Sequence, residues 1–259
     1  MTSNEKNSLL YQACLTLDPQ RSIIAVGPKV IPLNYVINTQ KAGTIVVMFL
    51  LMVYYHNYSL GAWLYLSLHG TYGIVWILKD LIFPDKSFQE KVTIPSATAT
   101  GIVLLLYWHI GFLMMRGDGD QNPSPRKIFA CFFIFTIGLF LMVCTDLQKF
   151  ITLKLKKGLI DEYFLAKNRN TNYFGEILVY LSFAMATNKL IGYLILISIW
   201  LTVFGSRIYL KENSLRKKDG FEKYKSKSYL LLFKFFENDM KNLLFYLFII
   251  GFVILCYLI

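Results

Sequence analysis

Three polar clusters interrupt an otherwise apolar chain, and their residue types are those that hold a charged ligand. The first is Asp146-Leu147-Gln148-Lys149, a carboxylate one helical turn before a lysine. An isolated charge costs about 3 kcal/mol at the centre of the hydrocarbon, so a carboxylate at the end of an apolar helix must find partners and is often functional. The second is Arg169-Asn170-Thr171-Asn172-Tyr173-Phe174-Gly175-Glu176. Asn172 is a favourable N-cap, Glu176 four residues on shares its helix face, and Gly175 leaves room for a ligand or another helix. Arg169 beside a helix N-terminus attracts anions. The third runs from Arg207 through Lys211-Glu212 to Gly220-Phe221-Glu222-Lys223-Tyr224. Its cations suit either cofactor phosphates or anionic lipid head groups. Tyr72, with His69 one turn away, is the candidate proton donor. Each cluster also has a structural reading: an interfacial ion pair, a capped helix start, a lipid-facing basic surface, a packed aromatic with a satisfied histidine.

The elements that must position these groups are membrane helices. Of 259 residues 55% are hydrophobic and 17% charged, against about 25% charged in soluble domains. Several apolar runs approach the ~20 residues that cross hydrocarbon. The expected fold is an all-α, multi-pass bundle of about seven spans near 36–56, 59–83, 93–115, 127–150, 173–187, 190–211 and 242–259. The fifth is the shortest. Pro19, Pro28 and Pro32 make 1–35 an irregular or surface-lying arm. The divisions expected are this arm, N-terminal helices over 36–127 on the substrate side, a cofactor domain over 128–236, and an added C-terminal helix over 237–259. No basic segment followed by an apolar stretch opens the chain, so no cleaved signal peptide is expected. The four cysteines lack paired or ligand spacing and the three histidines are scattered, so no metal site is expected.

The net charge of +11 is mostly topological. With seven spans, about 23 of the 27 basic residues fall with the N-terminus and the loops after spans two, four and six. Arg116, Arg126, Lys127 and Lys189 fall opposite. The basic side is cytosolic by the positive-inside rule, and nucleic acid is not expected as a partner.

Taken together and in order, the clusters carry a resemblance. From Asp146 to about Phe233 the chain resembles the C-terminal domain shared by the steroid 5-alpha-reductase family and its DUF1295 relatives. It is more distantly similar to the sterol reductases and the isoprenylcysteine carboxyl methyltransferases. The elements are Asp146-Leu147-Gln148-Lys149, Lys157-Gly158-Leu159, Arg169 through Asn172-Tyr173-Phe174-Gly175-Glu176, Glu212, and Gly220-Phe221-Glu222-Lys223-Tyr224. Thr171 stands where the family pattern has proline, the usual terminal proline is missing, and the N-terminal half matches poorly.

The resemblance implies an NADPH-dependent reductase of a carbon–carbon double bond in a 3-oxo-steroid-like or enoyl-lipid-like substrate, embedded in membrane lipid. It places Asp146, Gln148, Lys149, Asn172, Tyr173, Glu176, Glu212 and Tyr224 around the cofactor, with Lys154, Arg169, Arg207 and Lys211 as neighbours of its phosphates. The expected membrane is the endoplasmic reticulum with a cytosolic N-terminus, the mitochondrial inner membrane being the alternative. Two other functions remain open: a diverged subunit of a larger membrane complex, and a methyltransferase using S-adenosylmethionine.

Overall fold

Ser59, Thr93 and Ser124 each set a side-chain oxygen on the N–H three residues ahead, at Ala62, Ser96 and Lys127, and so begin three long helices. The computed structural model describes residues 9–17 and 25–258, the side chains of 10 and 256–258 excepted. The signal-peptide expectation and residues 1–8 and 18–24 of the proline-bearing arm, Pro19 among them, lie outside the described residues. Within the arm, α1 spans Leu9–Thr16. Strand β1 (Ile31–Pro32) pairs antiparallel with β2 (Lys91–Val92), Ile31 opposite Val92.

The long helices are α2 (Leu33–Tyr54), α3 (Leu60–Ile82), α4 (Ile94–Met115), α5 (Pro125–Leu155) and α6 (Thr171–Thr187). Helix α7 (Leu190–Ile199) continues through a π-helical turn (Trp200–Phe204) into α8 (Gly205–Leu215). Helices α9 (Phe221–Lys227) and α10 (Asp239–Leu258) come last. One buried apolar cluster unites α2 to α7, from Leu33 and Met48 through Tyr65, Ile110 and Met142 to Phe183 and Leu196.

This is an all-α, multi-pass membrane protein. Among the described residues four helices are long and apolar enough to cross a membrane: α2, α4, α5 and the continuous Leu190–Leu215. That is short of the seven expected. At 17 residues, α6 reaches only about 26 Å at 1.5 Å per residue, against ~30 Å of hydrocarbon. Helix α3 is long enough, but its sequence is diluted by His69, Lys79 and Asp80, the first two buried inside the bundle.

The most extensive contact is α5 on α6. It depends on Gly138 and Gly175: a β-carbon on Gly175 would lie 2.5 Å from the Gly138 carbonyl oxygen, and one on Gly138 2.6 Å from that of Gly175. Small facing residues let membrane helices approach at backbone distance. The room at Gly175 is therefore taken by a helix.

The two ends of the bundle differ. At one end the turns converge: the Asn57 amide donates to the Met114 and Met115 carbonyls, each at 3.0 Å, and to Gln121 at 2.8 Å, while the Asp120 N–H meets the Thr187 carbonyl at 3.1 Å. The other end holds a cavity.

Candidate cofactor and substrate cavity

Residues 167–171 build the wall of that cavity without facing it. The Asn168 amide donates to the Leu231 carbonyl at 2.7 Å, the Asn170 amide to that of Leu230 at 2.8 Å, and the Thr171 hydroxyl to that of Phe164 at 2.6 Å. Arg169 is buried and forks onto Glu212, with Nε 3.0 and 3.2 Å from its two carboxylate oxygens, and donates to the Ser228 carbonyl at 2.6 Å. A bidentate pair of this kind fixes geometry; it ties α8 to the start of α6. Arg169 thus has its anion already. The N-cap is Asn170, with helix α6 beginning at Thr171, so Asn172 sits in the first turn and its side chain is released from capping.

Beyond this knot the chain turns inward. Asn172, Tyr173 and Glu176 line a cavity of about 630 Å³ together with Asp146 and Lys149 of α5 and Arg207 and Lys211 of α8. Such a volume falls within the ~300–1,000 Å³ typical of small-molecule and cofactor sites. The sequence-expected residues Gln148, Lys154, Arg169, Glu212 and Tyr224 are elsewhere. Gln148 clamps a loop, accepting from the Phe164 N–H at 3.0 Å and donating to the Glu162 carbonyl at 2.8 Å. Lys154 is exposed, its ammonium 3.9 Å from the centre of the Phe150 ring. The Tyr224 hydroxyl donates to the Leu165 carbonyl at 2.6 Å, and burial raises its pKa above the usual tyrosine range. His69 and Tyr72 pack behind the wall. His69 bonds the Tyr65 hydroxyl at 3.0 Å and stacks on Phe183, and the Tyr72 hydroxyl lies 3.1 Å from that of Tyr180.

Other lining residues are not among those the sequence motifs single out. Lys79 of α3 forms a buried ion pair with Asp146. Lys149 reaches both Asp146 at 3.5 Å and Asp85 at 3.4 Å. Burial alone would raise the Asp85 carboxyl, but Lys149 and hydrogen bonds from Ser87 outweigh it and hold the pKa at about 2. Lys41 of α2 lines the cavity with Trp76, Tyr107 and Tyr180. One signal for it exists in the sequence: an ionisable residue inside an apolar span is a functional candidate by default, and Lys41 is the one lysine of the first span.

Six cationic side chains and three carboxylates line the cavity. Among the described residues Lys41, Arg207, Lys211 and Lys217 have no carboxylate within ion-pair distance. Two lining amide atoms, Asn172 Oδ1 and Asn213 Nδ2, are buried without a hydrogen-bond partner among the described residues. A polar atom left so is expected to meet a ligand or water. No group of three or more histidine, cysteine, aspartate or glutamate side chains able to hold a metal occurs among the described residues.

Fold and site together define a polytopic helical membrane protein with a cation-rich cavity at one end of its bundle. The family described as a protein of unknown function, DUF1295, matches residues 101–228, and through this region the chain belongs to that family. The matched stretch holds Asp146, Lys149, Asn172, Tyr173, Glu176, Arg207 and Lys211, whereas Lys41, Lys79 and Asp85 precede it. No curated protein and no solved structure matches the chain.

Proposed function

We propose that this protein is a membrane-embedded, NADPH-dependent reductase of a carbon–carbon double bond in a lipid. One observation carries the reading: a single cavity joins unpaired cations and orphaned amide atoms to an apolar section formed by Leu33, Ile37, Val103, Leu104, Ile199 and Val203. A dinucleotide and a lipid need those two surfaces side by side.

The residues present fit the cofactor. Arg207, Lys211 and Lys217 would hold its phosphates as charge-assisted donors. Asn172, with its free oxygen, and Tyr173 would hold the sugar and ring end. When bound, the dihydronicotinamide supplies a hydride to a double bond activated by a conjugated carbonyl. The chain itself binds, orients and excludes water. The Lys79–Asp146–Lys149–Asp85 network holds a charged section of the cavity lining in place, and the apolar section would receive the hydrocarbon body. The basic end of the bundle faces the cytosol on this reading, by the distribution of lysine and arginine, and the endoplasmic reticulum is the membrane proposed.

Purified protein in detergent is the test. NADPH is expected to raise the melting temperature and quench intrinsic fluorescence. Stabilisation by S-adenosylmethionine with none by NADPH at millimolar concentration, or migration only within a larger complex free of nucleotide, is the result that sinks the reading.

A further inference from the structure

Lys41 is 2% exposed, in the third turn of a membrane helix. Its ammonium lies 4.6 Å from the centre of the Tyr72 ring, 5.2 Å from Tyr180, 5.3 Å from Tyr107 and 5.4 Å from Trp76. All four are within the ~6 Å over which the negative face of an aromatic ring attracts a cation. The rings come from α3, α4 and α6, so three helices are shaped around one side chain. Its backbone is fixed as firmly. A β-carbon at Gly73 would collide with the Lys41 carbonyl oxygen, so α2 and α3 touch there and nothing larger than glycine fits.

An ammonium has three donors. One is used, donating to the Tyr180 hydroxyl at 2.9 Å, and that hydroxyl is in turn held 3.1 Å from Tyr72. Among the described residues no carboxylate lies within ion-pair distance of Lys41, and the nearest wall on its open side is the cavity, which it lines. A lysine that merely snorkelled would carry its charge to water. Here stem and amine are both buried, the amine is oriented by a hydroxyl, and Lys41 lines the cavity that Leu33, Ile37, Val103 and Leu104 also line.

We propose that Lys41 is the binding residue for an electronegative oxygen at the polar end of the lipid substrate, and that this oxygen is a carbonyl. The substrate class comes from the surroundings. A carboxylate or phosphate head would fit Lys41 by charge but would meet the Glu176 carboxylate, which lines the same cavity, so a neutral carbonyl flush with an apolar body is the better match. No covalent step is involved: the ammonium donates a hydrogen bond to the carbonyl oxygen and withdraws electron density from the conjugated double bond. Tyr180 and Tyr72 are positioning residues that hold the donor in line. This deepens the reductase reading and rests on it for the reaction, though not for the binding.

The experiment measures binding and a vibrational signature, in detergent, on the full chain. A panel of carbonyl lipids is used, a 3-oxo-4-ene steroid and a long-chain 2-enal, each carbon-13 labelled at the carbonyl. In the natural protein the carbonyl stretch of the bound lipid is expected to move to lower wavenumber than in detergent alone. K41M, close in shape, should bind the lipid about tenfold or more weakly, as loss of a charge-assisted hydrogen bond implies, and leave the stretch at its detergent value. K41R should retain part of the shift. NADPH-induced stabilisation is expected to survive in K41M, which also shows that the variant is folded. The proposal is overturned by an unshifted stretch in the natural protein, by an equal shift in K41M, by no uptake of any panel member, or by a borohydride-stable adduct on Lys41, which marks an imine in place of a hydrogen bond. A shifted stretch that vanishes in K41M, in a protein that ignores NADPH, keeps the Lys41 assignment and removes the reductase.

Discussion

Lys79 and Asp146 form an ion pair 5% and 8% exposed, and it joins a helix that precedes the family-matched region to one inside it. Removing one partner strands the other charge in the bundle. D146N or K79M is expected to lower stability by about 3–5 kcal/mol, read as a fall in melting temperature in detergent. K79M combined with D146L should recover most of the loss, since a packed apolar pair carries no desolvation penalty. Equal destabilisation by the single and double variants contradicts this account.

The α5–α6 contact tolerates no added atom. G175A places a methyl group 2.5 Å from a backbone carbonyl and 2.6 Å from the Met142 nitrogen, neither of which can rotate away. A loss of about 1–3 kcal/mol is expected, with a parallel loss of NADPH binding because α6 carries Asn172 and Tyr173. G251A, where the added carbon meets nothing within 4 Å, is the control and should leave both unchanged.

Arg169 and Arg207 should separate under substitution although both are basic and both belong to the family-matched stretch. E212A frees the buried Arg169 fork and is expected to cost about 3–5 kcal/mol. R207M removes a cation without a carboxylate partner, and its expected effect is about tenfold weaker NADPH binding at near-natural melting temperature. A drop in stability for R207M with unaltered nucleotide binding assigns it to structure.

Asp85 supplies a pH signature. Its folded pKa is depressed from 3.8 to about 2, so its contribution is fully present above the unfolded value and is lost as pH falls from near 4 through 2. The amount is about 2 kcal/mol. D85N is expected to be less stable than the natural protein at pH 6, with the difference closing below pH 3 in urea melts of detergent-solubilised protein. A difference that is constant across that range rules out the ion pair with Lys149 as its source.

The membrane character and the polar knot at 168–176 are legible in the chain, because each is local, although the cap within the knot is Asn170 and not the expected Asn172. An apolar run long enough to span or an asparagine-rich turn reports itself through neighbouring residues alone. The motifs also single out Asp146, Lys149, Asn172, Tyr173, Glu176, Arg207 and Lys211, and these share one cavity. They cannot sort these from Gln148, Arg169, Glu212 and Tyr224, which have the same polar chemistry in the same motifs but point into the protein. Whether a carboxylate such as Glu212 faces a ligand or an arginine depends on a partner in a distant segment, and no periodicity encodes that choice.

Composition alone dictates the solvent: it requires helices in lipid, because transfer energies sum residue by residue. Direction is a matter of packing in three dimensions. Gly175 opens toward a helix, Arg169 is consumed by Glu212, Tyr72 is set behind the wall, and Lys41, a lone cation in an apolar run, becomes the centre of an aromatic cage. Each outcome is a contact between groups far apart in the chain, and the packing of α2, α3, α4 and α6 fixes it.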